Sequence, residues 1–325
     1  MRAFTTIAAN TFLELVRQPV FLLLSTATTS FIIILAGMPY FGFGEDAKLV
    51  RDSSLAITLF VGLLAAVVAA SSAVAGELRT GTALAVLSKP VPRVAFLLGK
   101  YCGIVAAVWL LAFTNLLASL LASRMAYDAY GDADTLGIAV FFGAIALSFL
   151  FGAFTNYFHR RNLSGDAFLS QVILVTGVFL ILTFAVELKH PGQSAAQTVD
   201  WRLLPAGALI LFALLLLSAI ALACSTRLDT VPTLIVCTII FLAGLVSDYA
   251  FGRPAEQGAW WAAITHAILP NWQLFWITDA IQSDRTLDGI WRYVAKTAIY
   301  LSAHIGIALV VAYSLFENRD LAGDA

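Results

Sequence analysis

The feature that most constrains this chain is a set of long apolar runs, four of which contain no Asp, Glu, Lys or Arg. A helix needs about 20 mostly apolar residues to cross the hydrocarbon core of a bilayer. The runs that reach or approach this length are 20–42, 55–75, 94–123, 136–157, 167–187, 203–224, 231–249 and 293–316. They lack the alternation of barrel strands, and open strands cannot span lipid. The sequence therefore predicts an all-α integral membrane protein with about eight transmembrane helices.

The overall composition agrees with this fold class and narrows the function. The 325 residues are 60% hydrophobic and 12% charged, whereas about a quarter of the residues in a soluble domain are charged. The net charge of −1 provides no basic field, so no nucleic-acid partner is expected. No catalytic Ser–His–Asp order, GxSxG elbow or metal-ligand spacing of Cys and His is present. We therefore expect neither a catalytic site nor a metal site.

The first 18 residues differ from the runs that follow them. One helical face is formed by Phe4, Ile7, Ala8, Thr11, Phe12 and Leu15. A helix of this kind can lie in the membrane interface, and Pro19 separates it from the first run because proline blocks helix continuation. We interpret residues 1–18 as an amphipathic interfacial helix rather than a cleavable signal peptide or an extension of the first span.

A charged, proline-containing segment interrupts the chain between the second and third runs. Residues 77–90 have charged edges and an apolar middle, which predicts a short amphipathic helix at the membrane end. Pro90 and Pro92 end this helix and favour an extended connection to the next span. Because the helix is joined directly to two long spans, a force applied to it would move both of them.

At this segment the chain resembles the permease subunits of ABC-2-type ATP-binding-cassette transporters, in the branch that includes copper-enzyme-maturation and gliding permeases. The resemblance is carried by a small-residue-rich span, the interruption and the start of the next span. The matching residues are Glu77, Gly81, Thr82, Leu87, Ser88, Pro90, Arg93, Leu97, Leu98, Gly99, Lys100 and Tyr101. Four further segments also resemble the family: 17–21, 225–228, 269–275 and 316–321.

The resemblance assigns roles to these segments. Residues 1–18 would be the elbow helix of the family, and 77–90 the coupling helix that sits in a cleft of the ATPase subunit. The implied ATPase-coupling residues are Glu77, Arg79, Gly81, Thr82, Leu87, Ser88, Pro90 and Arg93, with Ser225, Thr226 and Arg227 as a second cytoplasmic contact. Many family members have six spans, so we interpret 136–187 as an additional hairpin.

The chain has no GxxxxGK[ST] motif and cannot hold ATP phosphates in that way. The resemblance therefore implies a separate cytoplasmic P-loop ATPase that carries ATP and Mg²⁺, with no cofactor in this chain. It also implies a homodimer, or a heterodimer with a related permease, in the plasma (inner) membrane of a bacterium. The distribution of Lys and Arg is almost even between the two sides and favours cytoplasmic termini only weakly.

Alternatives remain open from the residues themselves. An ion-gradient-driven secondary transporter and a non-transporting assembly or anchoring subunit are the two competing classes, and no substrate can be read from the spans. His304 is the one histidine within a span, where a bond to a neighbouring helix is the simplest interpretation. Residues 250–292 hold five of the seven tryptophans. This segment is predicted to form short helices on or in the outer leaflet, as an aromatic belt or a lid.

Overall fold

A computed structural model describes residues 2–38, 46–77, 92–126, 134–186, 199–278 and 289–317. These ranges are helical almost throughout and contain no β-strand. Their α-helices are α1 (Arg2–Val16), α2 (Pro19–Gly37), α3 (Asp46–Ala70), α4 (Arg93–Met125), α5 (Thr135–His159), α6 (Leu163–Phe184), α7 (Leu203–Ser225), α8 (Thr230–Leu245), α9 (Arg253–Glu256), α10 (Trp260–Ile268) and α11 (Ile290–Glu317). Two π-helices, Ser71–Gly76 and Asp248–Gly252, and the 3₁₀ helix Trp272–Phe275 complete the described elements.

The fold class predicted from the apolar runs is confirmed. Within the described ranges, seven helices are long and apolar enough to cross a membrane: α2, Lys48–Gly76, α4, α5, α6, α7 and α11. The predicted run 231–249 corresponds to a bent pair of helices, because α8 ends at Leu245 after 16 residues and the chain bends by 57° into Asp248–Glu256. Counted as one span, this pair brings the number of candidate spans among the described residues to the predicted eight. At 1.5 Å per residue α8 is about 24 Å long, which is shorter than a typical hydrocarbon core.

The N-terminal helix is separate from the first long helix, as the sequence predicted. Helix α1 ends at Val16, and α2 begins at Pro19, where a proline in the first turn loses no helical hydrogen bond. The predicted apolar face is the more buried one, since Thr11 and Leu15 are almost fully buried. The placement of α1 in the membrane interface stays a prediction.

The chain divides into two compact units. The first unit comprises Met1–Thr11, Ala66–Val105 and Ala208–Ala325, and the second comprises Phe12–Ala65 and Ala106–Gly207. In the first unit, α1 packs against two glycines of α4 that are four residues apart. A Cβ atom on Gly99 would lie 2.9 Å from Cγ2 of Ile7, and one on Gly103 would lie 2.7 Å from the backbone oxygen of Ala8. This small-residue spacing lets the two helix backbones approach closely.

The second unit contains a tightly packed helical hairpin made of α5 and α6. Arg160 adopts the left-handed conformation, with φ 52°, at the turn, and Asn162 caps α6 by accepting a 2.8 Å hydrogen bond from the Gly165 amide. A Cβ atom on Gly152 would lie 2.8 Å from Cβ of Ala167, so the helices are in direct contact there. The predicted segment 136–187 thus contains a hairpin, and its status as an insertion stays a prediction.

Helix α2 packs on this hairpin through an aromatic pair and a neutral polar cluster. The rings of Phe21 and Phe168 meet edge to face with centroids 6.4 Å apart. The buried Gln171 side chain accepts a hydrogen bond from Thr26 at 3.0 Å and donates one to the Thr29 hydroxyl at 3.2 Å. Polar side chains bonded across helices stabilise helix association in lipid.

Candidate functional site

The predicted coupling helix lies mostly outside the described residues. Six of the predicted ATPase-coupling residues fall there: Arg79, Gly81, Thr82, Leu87, Ser88 and Pro90. The other five are described and belong to the first unit: Glu77, Arg93, Ser225, Thr226 and Arg227. We call these five residues and their direct partners the membrane-end junction.

Glu77 stands at the start of the predicted coupling segment and is held to α4 by an ion pair. Its Oε1 atom lies 2.5 Å from Nζ of Lys100, a side chain that is almost fully buried. The same ammonium group lies 5.6 Å from the ring centroid of Phe96. A buried charge is strongly destabilising unless it is paired, so Lys100 ties the end of α3 to α4. Both residues belong to the sequence resemblance, but their pairing was not predicted.

Arg93 is the first residue of α4, shortly after the predicted coupling helix at 77–90, and it contacts the end of α11. Its Nη1 atom donates a 2.9 Å hydrogen bond to the backbone oxygen of Glu317. Nearby, the rings of Phe96 and Phe316 stack with centroids 5.7 Å apart, and both side chains are buried. The start of α4 is therefore attached to the end of α11 by one polar and one aromatic contact.

The second predicted contact, at the turn between α7 and α8, is only partly accessible. Ser225 is buried with its hydroxyl 3.4 Å from that of Ser71, and Thr226 is buried with its hydroxyl donating to the backbone oxygen of Ala223. Arg227 is exposed, and its Nε atom donates a 2.9 Å hydrogen bond to the backbone oxygen of Leu315. Among these three predicted residues, Arg227 is the one with a side chain at the surface of the unit.

Beyond the end of α3 at Ala70, the same long helix continues toward the junction as a π-helix. The π-helix spans Ser71–Gly76 and leads directly into Glu77. A π-helix changes the register of the residues that follow it, and short π-helical turns are common at functional sites. Ser71 at its start bonds to Ser225, and Glu77 just beyond its end bonds to Lys100. The π-helix thus lies between two contacts with the rest of the junction, Ser71 with Ser225 and Glu77 with Lys100.

The segment that follows the short helix α8 returns along α8 and α11. Trp272 Nε1 donates to the backbone oxygen of Ile240 at 3.4 Å, and Gln273 Nε2 donates to that of Leu245 at 3.0 Å. The Asn271 amide donates to the Tyr300 hydroxyl at 2.9 Å, and the Tyr293 hydroxyl donates to the backbone oxygen of Leu274 at 2.7 Å. We call residues 248–276 the re-entrant segment.

The tryptophans of the 250–292 region do not share one environment. Trp272 is 2% exposed and packs against Phe241 and Phe275. Trp260 and Trp261, at the start of α10, are 74% and 51% exposed. The short helices predicted for this region are present, but one of its tryptophans is a core residue. The interpretation of this region as an aromatic belt therefore applies only to its exposed tryptophans, and their position in the membrane stays a prediction.

A groove of about 470 Å³ lies between α7, α8, α11 and residues 268–270. Its wall includes His304, whose Nδ1 atom lies 3.1 Å from the backbone oxygen of Tyr300 and whose ring centroid lies 4.1 Å from that of Tyr300. His304 is thus bonded within its own helix, which corrects the predicted bond to a neighbouring helix. Its buried Nε2 atom has no hydrogen-bond partner in the part of the chain that the structure describes.

Fold and site together define a multi-pass α-helical membrane protein with a bent helix pair at residues 230–256 and an ion-paired junction at the end of its second long helix. Residues 5–158 match the family model described as ABC-2 family transporter protein. The matched residues are a little under half of the chain and include Glu77, Arg93 and Lys100, so this part of the chain is similar to ABC-2 permeases. The match ends just before the last residue of α5 and so includes the first helix of the hairpin. Among curated proteins, none matches the chain.

Proposed function

We propose that the chain is the membrane subunit of an ATP-driven ABC-2 transporter and that its ATPase is a separate polypeptide docked on residues 77–90. The family match supports a permease, and the absence of a P-loop motif from the sequence supports a separate ATPase. The observation that carries the proposal is the anchoring of both ends of the coupling segment. Glu77 is ion-paired to α4, and Arg93 is bonded to α11.

These anchors suggest a route for mechanical force within the first unit. A displacement of the coupling segment would act on α3 and α4 through the Glu77–Lys100 pair and on α11 through Arg93. Arg227 joins the turn after α7 to the same end of α11. Closure of the ATPase subunits around ATP would displace these helices together and favour one of two arrangements of the spans. Two copies, or one copy and a related permease, would enclose the substrate path in the bacterial inner membrane.

The test is recovery of the ATPase with the tagged chain from native membranes. The chain is purified in mild detergent, and ATP-binding polypeptides that accompany it are detected by photolabelling with 8-azido-ATP. We expect a labelled partner with the natural chain and a reduction of about tenfold or more for Leu87→Arg, which replaces an apolar residue of the predicted coupling helix with a charged one.

Leu136→Arg is the matched control, because Leu136 is 58% exposed at the start of α5 and lies outside the junction. It should retain the labelled partner at the natural level. The proposal fails if no ATP-binding polypeptide accompanies the natural chain and depletion of ATP leaves transport unchanged. It also fails in its assignment of residues 77–90 if Leu87→Arg retains both the ATPase and transport.

A further inference from the structure

The groove beside α11 has the composition of a site for an apolar ligand. Apart from Arg227, His304 and Cys224, the residues that line it are Leu, Ile, Val, Ala and Pro. Its volume of about 470 Å³ falls in the range of small-molecule pockets. The groove opens toward the surface of the unit, since Ile268 and Ile307 at its wall are 67% and 54% exposed.

The length of the groove corresponds to one leaflet of a bilayer. Along α11 its wall runs from His304 to Leu315, eleven residues or about 16 Å of helix. The hydrocarbon core of a bilayer is about 30 Å thick, so one leaflet contributes about half of that. An extended acyl chain that enters at the Leu315 end would therefore reach the level of His304.

A positive charge lies at the Leu315 end of the groove. Arg227 lines the groove there, immediately beyond the end of α7. Its Nε atom donates to the backbone oxygen of Leu315, and its two terminal nitrogens have no partner among the described residues. A guanidinium group binds phosphate through paired hydrogen bonds, and the end of a long span is the level at which lipid headgroups lie.

The opposite end of the groove is lined by His304 and by the re-entrant segment. Because the backbone oxygen of Tyr300 only accepts hydrogen bonds, the Nδ1 atom of His304 carries the proton in this contact. Pro270 and Leu269 of the re-entrant segment complete this end. The groove thus has an arginine at one end and a mainly apolar wall along the rest of its length.

The geometry points to a binding site for an anionic membrane phospholipid, with one acyl chain in the groove and the phosphate at Arg227. The length of the groove and its single terminal arginine fit this ligand together. A zwitterionic phospholipid also carries a phosphate, but its cationic headgroup offsets the attraction to Arg227. The site lies outside residues 77–90, shares Arg227 with the membrane-end junction, and would act as a fixed lipid contact between α7, α8 and α11. The inference does not depend on the identity of the transported substrate or of the ATPase.

The test measures lipid retained by the full-length chain in native mass spectrometry. The chain is purified in detergent, with any bound partner kept, and mixed with phosphatidylglycerol or with phosphatidylcholine of the same acyl chains. We expect one phosphatidylglycerol per chain to be retained at activation energies that remove phosphatidylcholine. Arg227→Gln should lower the preference for phosphatidylglycerol about fivefold or more, and Arg227→Lys should preserve part of it.

Groove-filling variants test the position of the acyl chain. Ala308→Trp places a large ring in the groove and should lower retention of phosphatidylglycerol about tenfold, whereas Ala303→Trp, exposed on the same helix and outside the groove lining, should not. Ala223→Leu narrows the groove from α7 and serves as a second variant if Ala308→Trp does not fold. Arg292→Gln, exposed near the start of α11, controls for loss of charge.

Three outcomes would overturn the inference. The first is equal retention of the two lipids by the natural chain. The second is an equal effect of Ala308→Trp and Ala303→Trp. The third is that the natural chain retains no lipid and Ala308→Trp converts an oligomer into single chains, which would make the groove a contact between copies of the chain.

Discussion

The membrane-end junction and the α5–α6 hairpin hold their helices together by different chemistry. At the junction, Lys100 pairs with Glu77, and two arginines bond to backbone oxygens at the end of α11. In the hairpin, Gly152 allows α5 to touch Ala167 of α6. Ion pairs and bonds from long side chains can re-form after a small displacement, whereas close-packed helices have one well-packed arrangement. The junction is therefore suited to transmitting movement, and the hairpin is suited to acting as a rigid block.

The largest effect should come from leaving the buried charge of Lys100 without its partner. Glu77→Gln removes the carboxylate that pairs with the ammonium group of Lys100, a residue only 4% exposed. Loss of one partner of such a pair is destabilising by about 3 kcal/mol. The measurement is the free energy of unfolding from an SDS titration followed by circular dichroism.

A double variant shows whether the buried charge is the cause of this effect. Lys100→Met in the Glu77→Gln background removes the unpaired ammonium and should restore most of the lost stability. Glu256→Gln, which changes an exposed residue of α9, should be close to neutral. Equal effects of Glu77→Gln and Glu256→Gln would show that the ion pair does not hold the junction together.

An intermediate effect is expected in the hairpin from one added methyl group. In Gly152→Ala the new Cβ would lie 2.8 Å from Cβ of Ala167 and 3.0 Å from the backbone oxygen of Leu163. The two helices must separate to admit it, which should lower the free energy of unfolding by about 2 kcal/mol. Gly143→Ala is a matched change in the same helix with nothing within 4 Å. It should stabilise α5 by up to about 1 kcal/mol, and similar values for the two variants would contradict close packing at Gly152.

The smallest effect should come from the neutral polar cluster between α2 and the hairpin. A double-mutant cycle of Thr26→Val and Gln171→Leu isolates their 3.0 Å hydrogen bond. Hydrogen bonds between membrane helices contribute about 0.6 kcal/mol on average, and we expect a coupling energy of that size. A coupling above about 2 kcal/mol would place the hairpin with the junction, as a region held mainly by polar contacts.

The long helices could be predicted from the sequence because an uninterrupted apolar run has few alternatives in a bilayer. The run 203–224 corresponds to Leu203–Ser225, and 136–157 corresponds to Thr135–His159. The early end of α8 could not be predicted, because apolar residues continue beyond Leu245 and the first proline after it is Pro254. Its end depends instead on tertiary contacts, in which Trp272 and Gln273 bond to backbone oxygens of α8.

For the candidate site, the sequence predicted which residues belong to it but not how they are buried or paired. The sequence resemblance pointed to Glu77, Arg93 and the turn at 225–227, and the structure describes these residues in one unit. The sequence resemblance could not reveal which side chains face inward, since the burial of Ser225 and Thr226 depends on how α7 packs. The partner of Glu77 lies 23 residues along the chain, a separation at which charge pattern alone does not identify a contact.

The re-entrant segment has a consequence for the order in which this protein can mature in the membrane. The amide of Asn271 and the backbone oxygen of Leu274 are bonded to tyrosine hydroxyls of α11, which is synthesised after them. Until α11 is inserted, these two backbone groups lack those partners, and unsatisfied groups are costly in hydrocarbon. A nascent chain that stops before Tyr293 would therefore lack both of these bonds, and the arrival of α11 would complete the hydrogen bonding of the segment.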